Sequence, residues 1–156
     1  MGPEAFGRYS YMLTLASLFF ILQDGGFKTL LFREKTLSSP AMKGYGDRLF
    51  SWAVGNTLVM TLGGVVCVLL LPFEYGLGIV VAFLYFGLQA VANFISSILR
   101  GEGLFVREAK WQVMVRTLGA LGILLGLFFV RAEPWVVFGG WFLGVLASLF
   151  WAPISL

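Results

Sequence analysis

LFSWAVGNTLVMTLGGVVCVLLLPF, residues 49–73, and YGLGIVVAFLYFGLQAVANFISSIL, residues 75–99, are two charge-free stretches separated only by Glu74. Each is long enough to cross the hydrocarbon core of a bilayer as a helix, which takes about 20 residues. Both are apolar on every face, as is typical of helices surrounded by lipid or by other helices. The pair predicts a membrane hairpin, with its tight turn at Pro72 to Gly76.

Three further apolar segments flank this hairpin, and the charges between them mark their ends. Cutting the chain at its charges predicts five transmembrane helices, at approximately 9–31, 49–72, 76–99, 111–130 and 134–152. The segment 111–130 is the weakest because it contains Arg116, which we expect near the helix end, where its side chain can extend to the membrane surface. The sequence therefore predicts an all-α integral membrane protein.

The composition of the chain excludes several classes of function. Hydrophobic residues make up 59% of the chain and charged residues 12%, whereas soluble domains contain about 25% charged residues. There is no histidine and a single cysteine, Cys67, so we expect neither a disulfide nor a Cys/His metal site within the chain. No nucleotide-binding, hydrolase or metalloprotease motif is present. We expect no enzyme activity and no cofactor, and the scattered basic residues do not predict nucleic-acid binding.

The basic residues predict the orientation of the helices in the membrane. Nine of the eleven lie in or next to the segments 32–48 and 100–110, and the other two are Arg8 and Arg131. The positive-inside rule places these two segments in the cytoplasm and the N-terminus outside. We therefore expect a multi-pass protein of the cytoplasmic membrane. An outside N-terminus also suggests a missing first helix, so residues 1–156 are expected to form a single membrane domain that lacks its first helix.

Residues 24–28, DGGFK, are the most informative polar stretch. Charges within a membrane helix are costly unless they pair or face a polar cavity, and Asp24 and Lys28 have the spacing that allows pairing along one helix face. One interpretation is that both side chains are solvated at the interface and the glycines provide a packing notch. The other is that Lys28 and Arg33 offer positive charge to an anionic substrate, with Asp24 orienting Lys28.

The second and third helices also carry polar residues. Asn56 and Thr57 lie in one, and Gln89 and Asn93 share a face of the other. Interhelical hydrogen bonding is the commoner role of such residues, although Gln89 and Asn93 also suit a hydrophilic path. Small residues at Gly122 and Gly126, and at Gly140, Gly144 and Ser148, favour close approach of the last two helices.

Three stretches resemble a known family, the polysaccharide and O-antigen flippases. Residues 2–10, GPEAFGRYS, resemble the LGPxxFGxYS loop that follows the first helix of these proteins. Residues 24–27, DGGF, resemble their D-x-G second helix, and residues 100–111, RGEGLFVREAKW, are similar to the basic loop between their fourth and fifth helices. The five spans would then be the second to sixth helices of a two-lobed flippase, and residues 1–156 would be an incomplete N-terminal lobe of this transporter.

This resemblance implies a function, for which the polar and charged residues described above are the candidate binding residues. Members of the family move undecaprenyl-pyrophosphate-linked oligosaccharides across the cytoplasmic membrane, so membrane lipid, the lipid-linked oligosaccharide and the second lobe are the expected partners. The expected substrate-binding residues are Lys28, Arg33, Asp24, Gln89 and Asn93. Two alternatives stay open: a multidrug/cation antiporter of the same superfamily, with a buried acid in its cavity, and a small membrane scaffold with glycine-lined helices.

Overall fold

The protein is all-helical throughout the part of the chain that the structure describes, residues 3–37, 45–73, 75–129 and 133–155 of a computed structural model. Five of its helices, counting the first two as one interrupted span, are long and apolar enough to cross a membrane. The predicted all-α, multi-pass membrane class is confirmed. The helices are α1 (Pro3–Asp24), α2 (Phe27–Leu37), α3 (Tyr45–Leu70), α4 (Gly76–Gly101), α5 (Phe105–Phe129) and α6 (Pro134–Ser155).

The helices are longer than the predicted spans. The first begins at Pro3 rather than at residue 9, since proline suits the first turn of a helix and Glu4 complements its N-terminal dipole. Of the predicted loop 100–110, only residues 102–104 lie outside a helix, because α5 already begins at Phe105. The charges therefore do not mark the ends of the helices, which continue into the charged segments. The corresponding loop 32–48 is helical up to residue 37 and again from residue 45.

Helix α4 occupies the centre of the bundle and contacts all five other helices. It is also the helix with the most buried side chains, among them Ile79, Phe83 and Phe94. Outward-facing side chains of the peripheral helices are large and apolar, as for Trp52 at 74% exposure and Phe128 at 84%. Such surfaces suit lipid, because lipid tails are as apolar as these side chains and exert no hydrophobic driving force for their burial in the protein.

The last two helices form the most extensive helix pair, and glycines bring their backbones together. A Cβ atom added at Gly140 would lie 2.6 Å from the carbonyl of Gly122, and one added at Gly144 would overlap the carbonyl of Leu118. The predicted close approach of α5 and α6 is confirmed. This pairing places one face of α5 towards α4, where the candidate site lies.

Candidate functional site

The first membrane span is interrupted at Gly25 and Gly26. Their φ angles are +51° and +77°, in the left-handed region that glycine adopts at little cost. The amide of Gly25 still donates to the carbonyl of Ile21 at 3.1 Å, and α2 then begins at Phe27. The predicted pairing of Asp24 with Lys28 does not form, because the residues belong to two different helices rather than to one continuous face.

Helix α3 supplies the hydrogen bonds that this interruption removes. Asn56 Nδ2 donates to the carbonyls of Leu22 and Gln23, both at 3.2 Å, and Thr57 Oγ1 donates to the carbonyl of Gln23 at 2.9 Å. Broken helices at membrane depth are tolerated where neighbouring side chains satisfy the freed backbone groups. The expected interhelical role of Asn56 and Thr57 is confirmed, and it fixes the direction in which α2 leaves α1.

The side chain of Gln23 ties the same break to the centre of the bundle. It is fully buried, and its Nε2 donates to Thr61 Oγ1 at 2.9 Å and to the carbonyl of Phe83 at 3.2 Å. One residue thus connects α1 to both α3 and α4. The break is therefore held by hydrogen bonds to two helices, α3 and α4, and α2 packs against α4 beyond it.

A cavity of about 680 Å³ lies between α1, α2, α4, α5 and α6. Half of its lining residues are polar or charged and come from α2, α4 and α5: Lys28, Gln89, Asn93, Arg100, Glu108, Gln112 and Arg116. The distance along α4 from Arg100 to Gln89 corresponds to about 16 Å, roughly half the thickness of a bilayer core. The charged end of the cavity lies at the membrane side where most basic residues occur.

Charge in the cavity is unequally distributed. Three of the lining side chains are cationic, namely Lys28, Arg100 and Arg116, and one, Glu108, is acidic. Arg100 Nη2 donates to Glu108 Oε1 at 2.8 Å. Among the described residues, Lys28 and Arg116 form neither an ion pair nor a hydrogen bond. The cavity therefore has two unpaired cations in addition to one neutralised pair.

The other end of the cavity is aromatic. Tyr85 and Phe86 of α4, Phe20 of α1 and Trp141 of α6 line it. The rings of Tyr85 and Trp141 are stacked, with centroids 5.1 Å apart and an interplanar angle of 18°. The arrangement gives a cationic mouth and an aromatic inner end, which suits a ligand with an anionic group and a flat or weakly polar group attached to it.

The structure brings together three of the five predicted site residues. Lys28, Gln89 and Asn93 line the cavity, and Gln89 Nε2 donates to Asn93 Oδ1 at 3.3 Å on one face of α4. Arg33 is exposed further along α2, and Asp24 is partly buried at the end of α1. Neither of these two residues is part of the cavity lining.

Sequence reasoning missed the contribution of α5. Arg116 was expected near a helix end, with its side chain extended to the membrane surface, but α5 begins at Phe105. Arg116 lies about 9 Å beyond Lys110 along the helix axis, and it faces the cavity. A signal was present in the helical spacing of Glu108, Gln112 and Arg116, each four residues from the next, which places all three on one face of a helix.

The fold and the site define a multi-pass membrane protein with a predominantly cationic cavity. A comparison with protein-family models, with curated proteins and with solved structures finds no match to this chain. The resemblance to polysaccharide flippases therefore rests on the three stretches of sequence that carry it.

Proposed function

We propose that the chain is part of a flippase for lipid-linked oligosaccharides, and that its cavity receives the pyrophosphate of an undecaprenyl-pyrophosphate carrier from the cytoplasmic side. The observation that carries this proposal is the pair of unpartnered cations, Lys28 and Arg116, in a cavity within a helical membrane bundle. The sequence resemblance suggests which molecule is transported, and the positive charge of the cavity complements the negative charge of its pyrophosphate.

The energetic argument for an anionic ligand concerns Arg116. An arginine near the middle of a membrane helix costs about 3 kcal/mol relative to an apolar residue, and such residues face cavities or partners. Arg116 has no partner among the described residues, and the one carboxylate in the lining is already bonded to Arg100. A phosphate group is the natural complement, because its oxygens accept charge-assisted hydrogen bonds from guanidinium and ammonium groups.

The charge of the lining also separates the proposal from a cation antiporter. A cavity for cationic drugs requires a buried acid free to attract them, whereas Asp24 lies outside this lining and Glu108 is paired. The scaffold alternative loses its main support, because the glycines of α5 and α6 already face each other within the chain. The flippase is therefore the hypothesis that accounts best for the cavity.

Replacing Lys28 and Arg116 in the chromosomal gene tests this function. With Lys28→Gln or Arg116→Gln, we expect export of surface polysaccharide to fall strongly while the lipid-linked precursor accumulates, because a cationic contact to the pyrophosphate is lost. Lys28→Arg should retain part of the export, since it keeps the charge.

The matched control is Lys110→Gln, which removes the same charge from α5 at a residue outside the cavity lining. It should leave export unchanged. Normal export by both Lys28→Gln and Arg116→Gln at normal protein level would refute the proposed role of the cavity.

A further inference from the structure

The ion pair inside the cavity connects the end of α4 to the beginning of α5. Glu108 Oε1 accepts from Arg100 Nη2 at 2.8 Å and from Ser96 Oγ at 2.7 Å. Gln112 Nε2 in turn donates to Ser96 Oγ at 2.9 Å. The acid is thus bonded to a network that belongs to the protein itself, at the position where an entering anion would meet Arg100.

The two members of this pair differ in how firmly they are held. The Arg100 side chain is 48% exposed and that of Glu108 14%, and the second partner of Glu108, Ser96, is only 3% exposed. Glu108 keeps Ser96 as a partner when its bond to Arg100 breaks, whereas Arg100 has no other partner among the described residues. Arg100 is therefore the member that is free to turn to a ligand.

We propose that Glu108 competes with the anionic ligand for Arg100, and that a diphosphate is the group that displaces it. This inference rests on the proposed function, since it assumes that the cavity binds an anionic carrier. Glu108 acts through Arg100 and does not touch the ligand, so it is a positioning residue. It also lowers the affinity for anions that carry too little charge to compete.

The charge count of the lining explains why a diphosphate suits this arrangement. Lys28, Arg100 and Arg116 against Glu108 leave a net charge of two positive units. A diphosphate bridging two organic groups carries about two negative charges at neutral pH, whereas a phosphate diester carries about one. Only the former balances the lining while also offering enough acceptor oxygens for Lys28, Arg116 and the released Arg100.

The experiment measures the dissociation constant of a farnesyl diphosphate that carries a hexose on its second phosphate, and hence about two negative charges, for the purified chain in nanodiscs of zwitterionic lipid. Glu108→Gln should lower this constant about tenfold, because the ligand no longer has to displace a carboxylate from the charge-assisted hydrogen bond to Arg100. In an Arg100→Gln background the same substitution should give a clearly smaller gain. A farnesyl methyl phosphate diester, which carries about one negative charge, should bind the wild-type chain more weakly than the diphosphate and recover more of its affinity in Glu108→Gln.

The matched control is Glu102→Gln. Glu102 pairs with Lys35 at 2.7 Å, close to the Arg100 pair in the fold, but neither residue lines the cavity. This variant loses the same charge and an ion pair of similar length, and its dissociation constant should not change. Glu108→Asp keeps the charge but shortens the side chain, so it should give an intermediate gain even if Glu108→Gln folds poorly.

The possible results distinguish a failure of the proposed competition from a failure of the proposed function. An unchanged or weaker affinity in both Glu108 variants, with a loss of affinity in Lys28→Gln, overturns the competition and leaves the proposed function standing. A lower unfolding temperature of Glu108→Gln with an unchanged dissociation constant likewise assigns the pair a purely structural role. Absence of diphosphate binding by the wild-type chain overturns both.

Discussion

Substituting Gly140 by alanine tests how closely α5 and α6 must approach each other. The added Cβ would lie 2.6 Å from the carbonyl carbon and oxygen of Gly122 and from the amide nitrogen of Ile123. Ordinary contacts between such atoms require about 3.5 Å, so the helices would have to separate locally by about 1 Å. Because the obstructing atoms belong to the backbone, no side chain can move aside. Overpacking of this kind costs about 1–3 kcal/mol.

The neighbouring glycine is the matched control for this substitution. A Cβ added at Gly139 meets nothing within 4 Å, so Gly139→Ala should be neutral or stabilise the helix by up to about 1 kcal/mol. Both variants gain the same helix propensity, and the difference between them therefore isolates the contact with α5. The free energy of unfolding, measured by SDS titration in mixed micelles, should differ by at least about 1 kcal/mol. Equal stability of the two variants would refute the described packing.

Two further predictions concern the helix break and the orientation of the chain. Thr57→Val removes the hydrogen bond to the Gln23 carbonyl and should lower the free energy of unfolding by about 1 kcal/mol. Thr117→Val, at an exposed position of α5, should leave the free energy of unfolding unchanged, and equal effects of the two substitutions would argue against a stabilising role of the Thr57 hydrogen bond. Single cysteines replacing Tyr45 and Pro72, introduced without the native cysteine, should react with an impermeant thiol reagent in intact cells only at position 72. Labelling at position 45 would invert the topology.

The class of the fold could be predicted from the sequence because helices that cross a lipid bilayer require long apolar segments without charges. The charge-free segments 49–73 and 75–99 are too long and too apolar for anything but membrane helices. The ends of the helices could not be predicted in the same way, since a helix continues through the membrane surface without changing its hydrogen bonds. For this reason α5 begins before its apolar segment, with Arg107, Glu108 and Lys110 in its first two turns.

The candidate site could be predicted in part. The sequence indicates Lys28 because a charge in a membrane segment is costly unless it faces a cavity or a partner. It indicates Gln89 and Asn93 because these two polar residues share one face of a membrane helix. The sequence does not show that the span breaks at Gly25 and Gly26, which separates Asp24 from Lys28 and redirects α2. Nor does it show which face of α5 lies against α4, and this tertiary packing is what places Arg116 in the same cavity lining as Lys28.

Binding of a polyprenyl diphosphate by the purified chain in nanodiscs is the most direct test of a cavity that holds an anionic carrier. The account predicts that the Lys28→Gln/Arg116→Gln double variant binds at least about tenfold more weakly than wild type, since two cationic contacts are lost. The Arg107→Gln/Lys110→Gln double variant loses the same net charge outside the cavity lining and should bind like wild type. If binding were weakened equally in both double variants, it would depend only on the net charge of the protein, and this result would contradict a specific anion site in the cavity.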